Sequence, residues 1–140
     1  MTTSIHLTAE NDDYKGAASL WDDKIVEVVV YDAEDKSEAN RTTQQVVDWI
    51  RNNQPRIERA IVDDLLGIYN GGYAQPDDGL PELDAAGFLA SLPPRGLQVF
   101  VGPDEWSAEL ALDDAKELFW GHYVLVDVTS DGKVQALFQG

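Results

Sequence analysis

Residues 118–140 read LFWGHYVLVDVTSDGKVQALFQG, and this stretch decides the fold expected for the whole chain. Residues 122–128 are mostly β-branched or aromatic, which is typical of a strand. Asp131-Gly132 favours the two-residue turn of a β-hairpin, and residues 133–138 largely alternate polar and apolar side chains, as a returning strand does. The sequence therefore predicts a C-terminal β-hairpin.

Two more strands are predicted before this hairpin, at residues 96–101 and 106–112. The segment 102–105, Gly-Pro-Asp-Glu, is short and has the composition of a tight turn between them. In the second strand, apolar residues alternate with Ser107 and Glu109, a pattern that predicts a sheet with one face in water.

The N-terminal part of the chain predicts three further strands. Residues 5–8 alternate over a short run and predict an edge strand, and residues 14–21 predict a second strand that Asp22-Asp23 ends. Residues 24–31 are apolar on both faces, so we expect this strand to lie in the middle of the sheet.

In the middle of the chain, apolar residues recur at helical spacing. This spacing predicts a helix at residues 38–53, capped by Ser37 or Asn40, and a second helix at residues 56–69, which Asn70-Gly71-Gly72 would end with left-handed residues. The second helix is apolar over more than one stripe, which predicts burial on two sides. Residues 82–91 predict a short third helix, and residues 73–81 a mobile loop without internal order.

The order of elements is strands, then helices, then strands. This order is typical of the α+β class, here an antiparallel sheet with a pair of consecutive helices packed on one face. The length of 140 residues and the 44% apolar content predict a single domain over residues 1–140.

Charge is the strongest compositional feature. The chain has 26 acidic and 10 basic residues, a formal net charge of −16. Such a field repels phosphates, so nucleic acid and anionic membrane are disfavoured as direct partners, whereas a cationic protein is favoured. Three interpretations stay open: a solvated surface that maintains solubility, a dedicated recognition surface, and adaptation to a saline cytoplasm.

Several classes of site are excluded by composition. Cysteine is absent, which excludes thiolate metal sites and cysteine nucleophiles. The first residues lack the basic and apolar regions of a signal peptide, and no segment has the length to span a bilayer, so we expect a cytoplasmic protein. No nucleophile elbow, phosphate loop or calcium loop is present, and His6 and His122 have no ligand partners at helical spacing. We therefore predict no cofactor and no metal.

Paired carboxylates are the remaining catalytic possibility. Asp48 lies in an apolar part of its predicted helix and Asp127 lies inside a predicted strand, so these two are the candidates for acid/base chemistry. Outward projection of Asp127 on the wet face is the competing interpretation.

The acidic loops and one tryptophan are the candidate partner-binding residues. Trp120 is included because Gly121 lets the backbone and the ring approach a neighbour closely. The full set is Asp77, Asp78, Glu82, Asp84, Asp104, Glu105 and Trp120.

The C-terminal motif also carries a resemblance. Phe119-Trp120-Gly121-His122, the following strand and Asp131-Gly132 resemble the C-terminal signature of a family of uncharacterised bacterial domains, in which two consecutive helices precede a four-strand run. The resemblance extends over most of the chain from about Trp21 onward. It implies a small bacterial α+β domain and assigns no reaction and no catalytic residue.

Small acidic domains of this kind resemble the immunity proteins that accompany bacterial toxins. The resemblance implies a non-enzymatic module that binds a cognate basic toxin and occludes it by charge complementarity. A carboxylate-dependent hydrolase and a salt-adapted housekeeping domain are the alternatives. The final Leu-Phe-Gln-Gly resembles a protease-tag remnant, and a native end fits the family pattern equally.

Overall fold

A computed structural model describes residues 5–21 and 24–139. Seven strands form one sheet, in which each strand lies next to the one that follows it in sequence. All predicted strands occur, although the first begins two residues later than expected, and the predicted break at Asp22-Asp23 lies outside the described residues. The strands are β1 Leu7–Glu10, β2 Asp13–Ser19, β3 Ile25–Tyr31, β4 Pro94–Val101, β5 Trp106–Leu112, β6 Tyr123–Thr129 and β7 Val134–Gln139.

One pair of strands corrects the prediction of an antiparallel sheet. β3 and β4 pair in parallel, whereas every other neighbouring pair is antiparallel. The parallel pairing follows from connectivity, because the helices lie between β3 and β4 and return the chain to the end of the sheet from which β3 starts. The structure is thus α+β with a mostly antiparallel sheet. β3 has a neighbour on each side, as predicted.

Helix α1 spans Lys36–Asn52 and begins earlier than the sequence predicts. The cap is neither Ser37 nor Asn40 but Asp35, whose carboxylate accepts a 2.8 Å hydrogen bond from the backbone N–H of Glu38. The Glu38 carboxylate in turn accepts from the N–H of Glu34 at 2.9 Å. Glu38 lies three positions after Asp35, which is the spacing of a capping box. This spacing was the feature of the sequence that could have located the start of the helix.

The second helix is longer than predicted. Helix α2, Gln54–Ile61, continues through two π-helical segments, Val62–Leu66 and Tyr69–Tyr73. Gly71 and Gly72 lie inside the second π-helical segment and do not have positive φ angles, so the prediction that they end the helix with left-handed residues is wrong. We call this continuous helix, residues 54–73, the long helix. It ends at Ala74, whose backbone is extended.

The segment that follows is ordered within itself, against the prediction. Gln75 and Leu80 exchange backbone hydrogen bonds of 2.6 and 2.9 Å around a 3-10 turn, Pro76–Asp78. Asn70 bonds both backbone groups of Leu83 through its side-chain amide and so fixes the segment to the helix. Helix α3 then spans Ala85–Ala90.

The C-terminal hairpin forms with a different turn from the one predicted. The Thr129 N–H donates to the Lys133 carbonyl at 3.1 Å, and the Gly132 N–H donates to the Thr129 carbonyl at 2.9 Å. The loop is therefore residues 130–132, one residue longer than a two-residue turn. Gly132 has φ +91°, which suits the left-handed position of three-residue hairpin loops.

The core combines side chains from the helices with side chains from the strands. Leu65 and Tyr69 from the long helix, Phe88 from α3 and Phe119 from the segment before β6 are buried together with alternate residues of the strands. The Phe119 ring stacks on Phe138 with centroids 4.7 Å apart. The buried strand residues include Val26, Val28, Val30, Leu97, Val99, Ala108, Leu110, Leu112, Val124, Val126, Val128 and Ala136.

In the described part of the chain, no helix combines the length and the apolar character needed to cross a membrane.

Candidate functional site

The sheet has two unequal faces. Side chains that alternate with the buried ones are, with the exception of Leu125, half-buried or exposed on the strands from β3 to β6. We call this second surface the open face, and it includes Ile25, Glu27, Val29, Tyr31, Gln98, Phe100, Ser107, Glu109, Ala111, Tyr123, Leu125 and Asp127.

A cavity of about 630 Å³ lies on the open face. The strand register places Glu27, Gly96, Ala111 and Leu125 in one row across β3 to β6, so the small Gly96 and Ala111 form a low floor. The charged residues that line the cavity are Glu27, Arg95 and Glu109. The cavity therefore combines an apolar floor with charges of both signs.

Arg95 reaches this surface through a β-bulge. The register between β4 and β5 shifts between Pro94 and Gly96, which leaves Arg95 without a partner residue in β5. A bulge rotates the side chain of the extra residue relative to regular strand alternation, and bulges are over-represented beside functional sites. Arg95 is exposed and lines the cavity.

Two carboxylates lie side by side in the adjacent row of the open face. Glu109 and Asp127 are direct partners in the register of β5 and β6. Burial raises the pKa of the Glu109 carboxyl, and the negative charge of Asp127 raises that pKa further. Burial also raises the pKa of Asp127. The ion pairs found within residues 5–21 and 24–139 are Lys15–Glu10 and Lys133–Asp131, so neither open-face carboxylate has a cationic partner there.

This pair makes the stability of the fold depend on pH. A carboxyl whose pKa is raised by folding binds protons more tightly in the folded state, so the free energy of unfolding falls as pH rises from the unfolded pKa, about 4, through the folded value. At pH 7 we expect the double variant Glu109→Gln/Asp127→Asn to be more stable than the wild type by about 0.2–1 kcal/mol, the range for like charges that face each other across strands and remain partly screened by water.

Urea unfolding at several pH values measures this difference. The gain should disappear below pH 4, where the wild-type carboxyls are protonated in both states. A matched control is Asp77→Asn/Asp78→Asn, which removes the same charge from the exposed 3-10 turn. A double variant that is less stable than the wild type at pH 7 would contradict the repulsion that we assign to this pair.

Large apolar side chains are exposed on the same face. Ile25 is 75% exposed and Tyr123 is 66% exposed, and both belong to the open face by strand alternation. They lie on β3 and β6, three strands apart, so they are two separate apolar groups on one face and not one continuous patch.

The predicted partner-binding residues fall into two separate groups. Asp77, Asp78, Glu82 and Asp84 are exposed and follow the long helix, near the end of the sheet where β4 begins. Asp104 and Glu105 lie in the turn after β4, where Gly102 donates a 2.8 Å hydrogen bond to the Glu105 carbonyl. The length of β4, on the order of 20 Å, separates these ends, so the structure does not bring the groups together.

Asp84 is exposed and also has a structural role. Its carboxylate accepts a 2.7 Å hydrogen bond from the Gly87 N–H and caps helix α3. A residue that satisfies a helix N-terminus in this way is a weak candidate for contact with a partner.

Trp120 is 57% exposed and has a backbone of left-handed conformation, φ +57°. Its indole N–H donates to the Tyr73 carbonyl at 3.2 Å, and the two rings lie 4.7 Å apart. Left-handed backbone is unfavourable for a bulky side chain, so these contacts hold Trp120 in a strained position beside the end of the long helix. Gly121 follows with φ +89°, which accounts for glycine in the motif.

The two carboxylates predicted from sequence do not form a pair. Asp48 lies on α1 and accepts a 2.9 Å hydrogen bond from Gln44, and its neighbour Trp49 contacts Trp106 on the buried face. Asp127 projects from the open face, as the wet-face interpretation predicts.

Comparison with known proteins identifies the family. Residues 3–137 match the profile of DUF2262, which is described as an uncharacterized protein conserved in bacteria. The chain belongs to the DUF2262 family. The match confirms the resemblance to an uncharacterised bacterial family. No curated protein and no solved structure matches this DUF2262 chain.

Sequence reasoning missed Glu109 as a partner of Asp127 and missed Arg95 altogether. The alternation of apolar and polar residues in β5 predicted that Glu109 faces water, and this was the one feature of the sequence that pointed to Glu109. The pairing of Glu109 with Asp127 depends on the register between β5 and β6, and the position of Arg95 depends on the bulge, and neither is encoded in a local pattern.

Proposed function

We propose that this DUF2262 protein is a cytoplasmic, non-enzymatic binding module of the immunity type, which docks a cognate basic toxin on its open face. The observation that carries the proposal is the coincidence, on one sheet face, of the exposed Ile25 and Tyr123 with two adjacent carboxylates that have no cationic partner among the described residues. Apolar anchors surrounded by complementary charge are the usual composition of a protein interface.

We infer that the helices cover the opposite face and leave the open face free for a partner. Support comes from Trp49 of α1, which meets Trp106 edge-on at 6.3 Å, and from Ile57 and Ile61 of α2, which belong to the same buried cluster as the inward side chains of the strands. A face of a sheet that its own chain does not cover is available for docking.

The net charge of −16 supports a basic partner and assigns a role to the acidic loops. Charges outside a contact accelerate encounter with an oppositely charged protein, and their effect weakens as salt increases. We therefore propose that Asp77, Asp78, Glu82, Asp104 and Glu105 steer association, while the open face holds the bound partner.

The direct test takes the domain encoded by the neighbouring gene as the candidate basic toxin. Titration against this domain should give tight binding, and co-expression should abolish its toxicity. The double variant Ile25→Ser/Tyr123→Ala should weaken affinity by about 30-fold or more, because truncation of an interface anchor costs at least about 2 kcal/mol, and the loss should appear in the dissociation rate.

Reversal of the loop charges provides the comparison. Asp77→Lys/Asp78→Lys should reduce the association rate at low salt and leave the dissociation rate nearly unchanged. If the loop variant loses affinity and the open-face variant keeps it, the docking surface is the acidic loop. If the bound toxin remains active, an immunity role is excluded.

A second candidate function is a carboxylate-dependent hydrolase. The raised pKa values of Glu109, which lines the cavity, and of its neighbour Asp127 favour it, because acid/base catalysis uses neighbouring carboxyls of which one retains its proton. A screen of ester, amide, phosphoester and glycoside substrates tests it. Turnover that survives both Glu109→Gln and Asp127→Asn would exclude this pair as its catalytic centre.

A further inference from the structure

We propose that the open-face cavity is a pocket for one arginine or lysine side chain of the partner, with its cationic head at Glu109, which lines the cavity, and beside Asp127, the neighbour of Glu109 on β6. This inference rests on the proposed docking face and specifies what enters it. It assigns a position to the cation, whereas the net charge alone predicts only attraction.

The shape of the cavity suits a long, unbranched side chain. Gly96 and Ala111 are neighbours in the register, so the floor between the strands is low, and Tyr123, 66% exposed, also lines the cavity. The aliphatic stem of lysine or arginine packs on such apolar surface while its charged head remains among polar groups.

The polar groups at the far end suit a cationic head. Gln98, Glu109 and Asp127 occupy consecutive positions of one row across β4, β5 and β6. Carboxylates and the amide oxygen of glutamine accept hydrogen bonds from guanidinium or ammonium groups. A bound cation would also relieve the repulsion between Glu109 and Asp127.

The remaining charges around the cavity make it polar along its length. Glu27 adds a third carboxylate, and Arg95 lies three residues before Gln98 on β4, on the order of 10 Å along the strand. Lys15 is the register partner of Val29, which belongs to the same cross-strand row as Glu109. Its ammonium group, however, forms an ion pair with Glu10 at 3.3 Å. Three carboxylates against the one guanidinium of Arg95 give this face a net negative charge, with Arg95 at the end away from Glu109 and Asp127.

The test uses Nα-acetyl-arginine amide as the probe and the full chain as the receptor. Nuclear magnetic resonance titration at low salt should show saturable shifts of backbone amides at Gly96, Glu109, Ala111 and Asp127, with affinity in the millimolar range expected of a single exposed charged contact. Nα-acetyl-leucine amide, which lacks the charge, should give no saturable shift.

Four variants locate the binding. Glu109→Gln/Asp127→Asn should weaken probe binding at least tenfold, whereas Asp77→Asn/Asp78→Asn, with the same change of net charge, should weaken it less than twofold. Gly96→Val should obstruct the space above the cavity floor and so weaken probe binding. An unfolding curve of this variant shows whether it folds. Arg95→Gln should tighten binding, because it removes a repelling cation.

The pH dependence provides an independent readout. Because the cation favours ionised carboxylates, probe affinity should fall as pH is lowered through the raised pKa values of Glu109 and Asp127, and this dependence should be absent in the double variant.

The outcomes separate this inference from the proposed function. Shifts spread over all acidic loops, or equal weakening by both double variants, would overturn the pocket and leave docking on the open face intact. Conversely, localised probe binding with no binding of the toxin domain would retain the pocket and overturn the immunity role.

Discussion

Replacement of Phe119 by alanine is expected to lower the free energy of unfolding by about 3–5 kcal/mol, the usual cost of deleting a fully buried phenylalanine. Phe119 has no exposed surface and contacts four aromatic rings, those of Tyr69, Tyr73, Phe88 and Phe138. The loss would therefore leave a cavity between the long helix, α3 and β7. Urea unfolding, monitored by circular dichroism, measures this change in the free energy of unfolding.

The neighbouring residue gives a matched comparison. Trp120→Ala removes a larger side chain, yet 57% of that side chain is exposed, and its backbone strain remains in the variant. We expect a loss of about 1 kcal/mol from the Tyr73 contacts. Phe119→Leu should fall between the two, since it retains part of the buried volume. Equal losses for Phe119→Ala and Trp120→Ala would contradict the division of the motif into a buried anchor and an exposed ring.

Replacement of Gly16 by alanine is expected to destabilise the protein by about 1–3 kcal/mol, the typical cost of overpacking. A Cβ atom at Gly16 would lie 2.5 Å from the His6 carbonyl oxygen and 2.8 Å from Cδ2 of Leu7. Because the first of these atoms is backbone, relief requires β1 to move away from β2. Hydrogen exchange should therefore show loss of protection in β1 before other strands are affected.

Gly96 is the control for this substitution, because it is also a strand glycine. A Cβ atom there would meet only the Glu27 carbonyl oxygen at 3.8 Å, an ordinary contact. Gly96→Ala should leave stability unchanged or raise it by up to about 1 kcal/mol, since alanine restricts the unfolded chain more than glycine does. A larger loss at Gly96 than at Gly16 would contradict the close approach of β1 to β2.

The distinction between these glycines also shows why the candidate site was only partly predictable. Both are glycines in predicted strands, but Gly16 lies under a neighbouring strand and Gly96 lies on the floor of a cavity. The sequence indicated that Glu109 and Asp127 face water, whereas their pairing and the cavity lined by Glu109 and Arg95 depend on register and on one bulge. The predicted acidic loops are exposed, and the structure separates them along the sheet.

By itself, the sequence determined the α+β class, the strands, the positions of the helices and the family, because strand alternation, helical periodicity and the Phe-Trp-Gly-His motif are local patterns. Tertiary structure alone decided the parallel pairing of β3 with β4, the extension of the long helix through Gly71 and Gly72, and the meeting of Glu109 with Asp127. These features depend on contacts between residues far apart in the chain, and packing against the rest of the molecule overrides the local preference of a glycine or fixes the register of a strand.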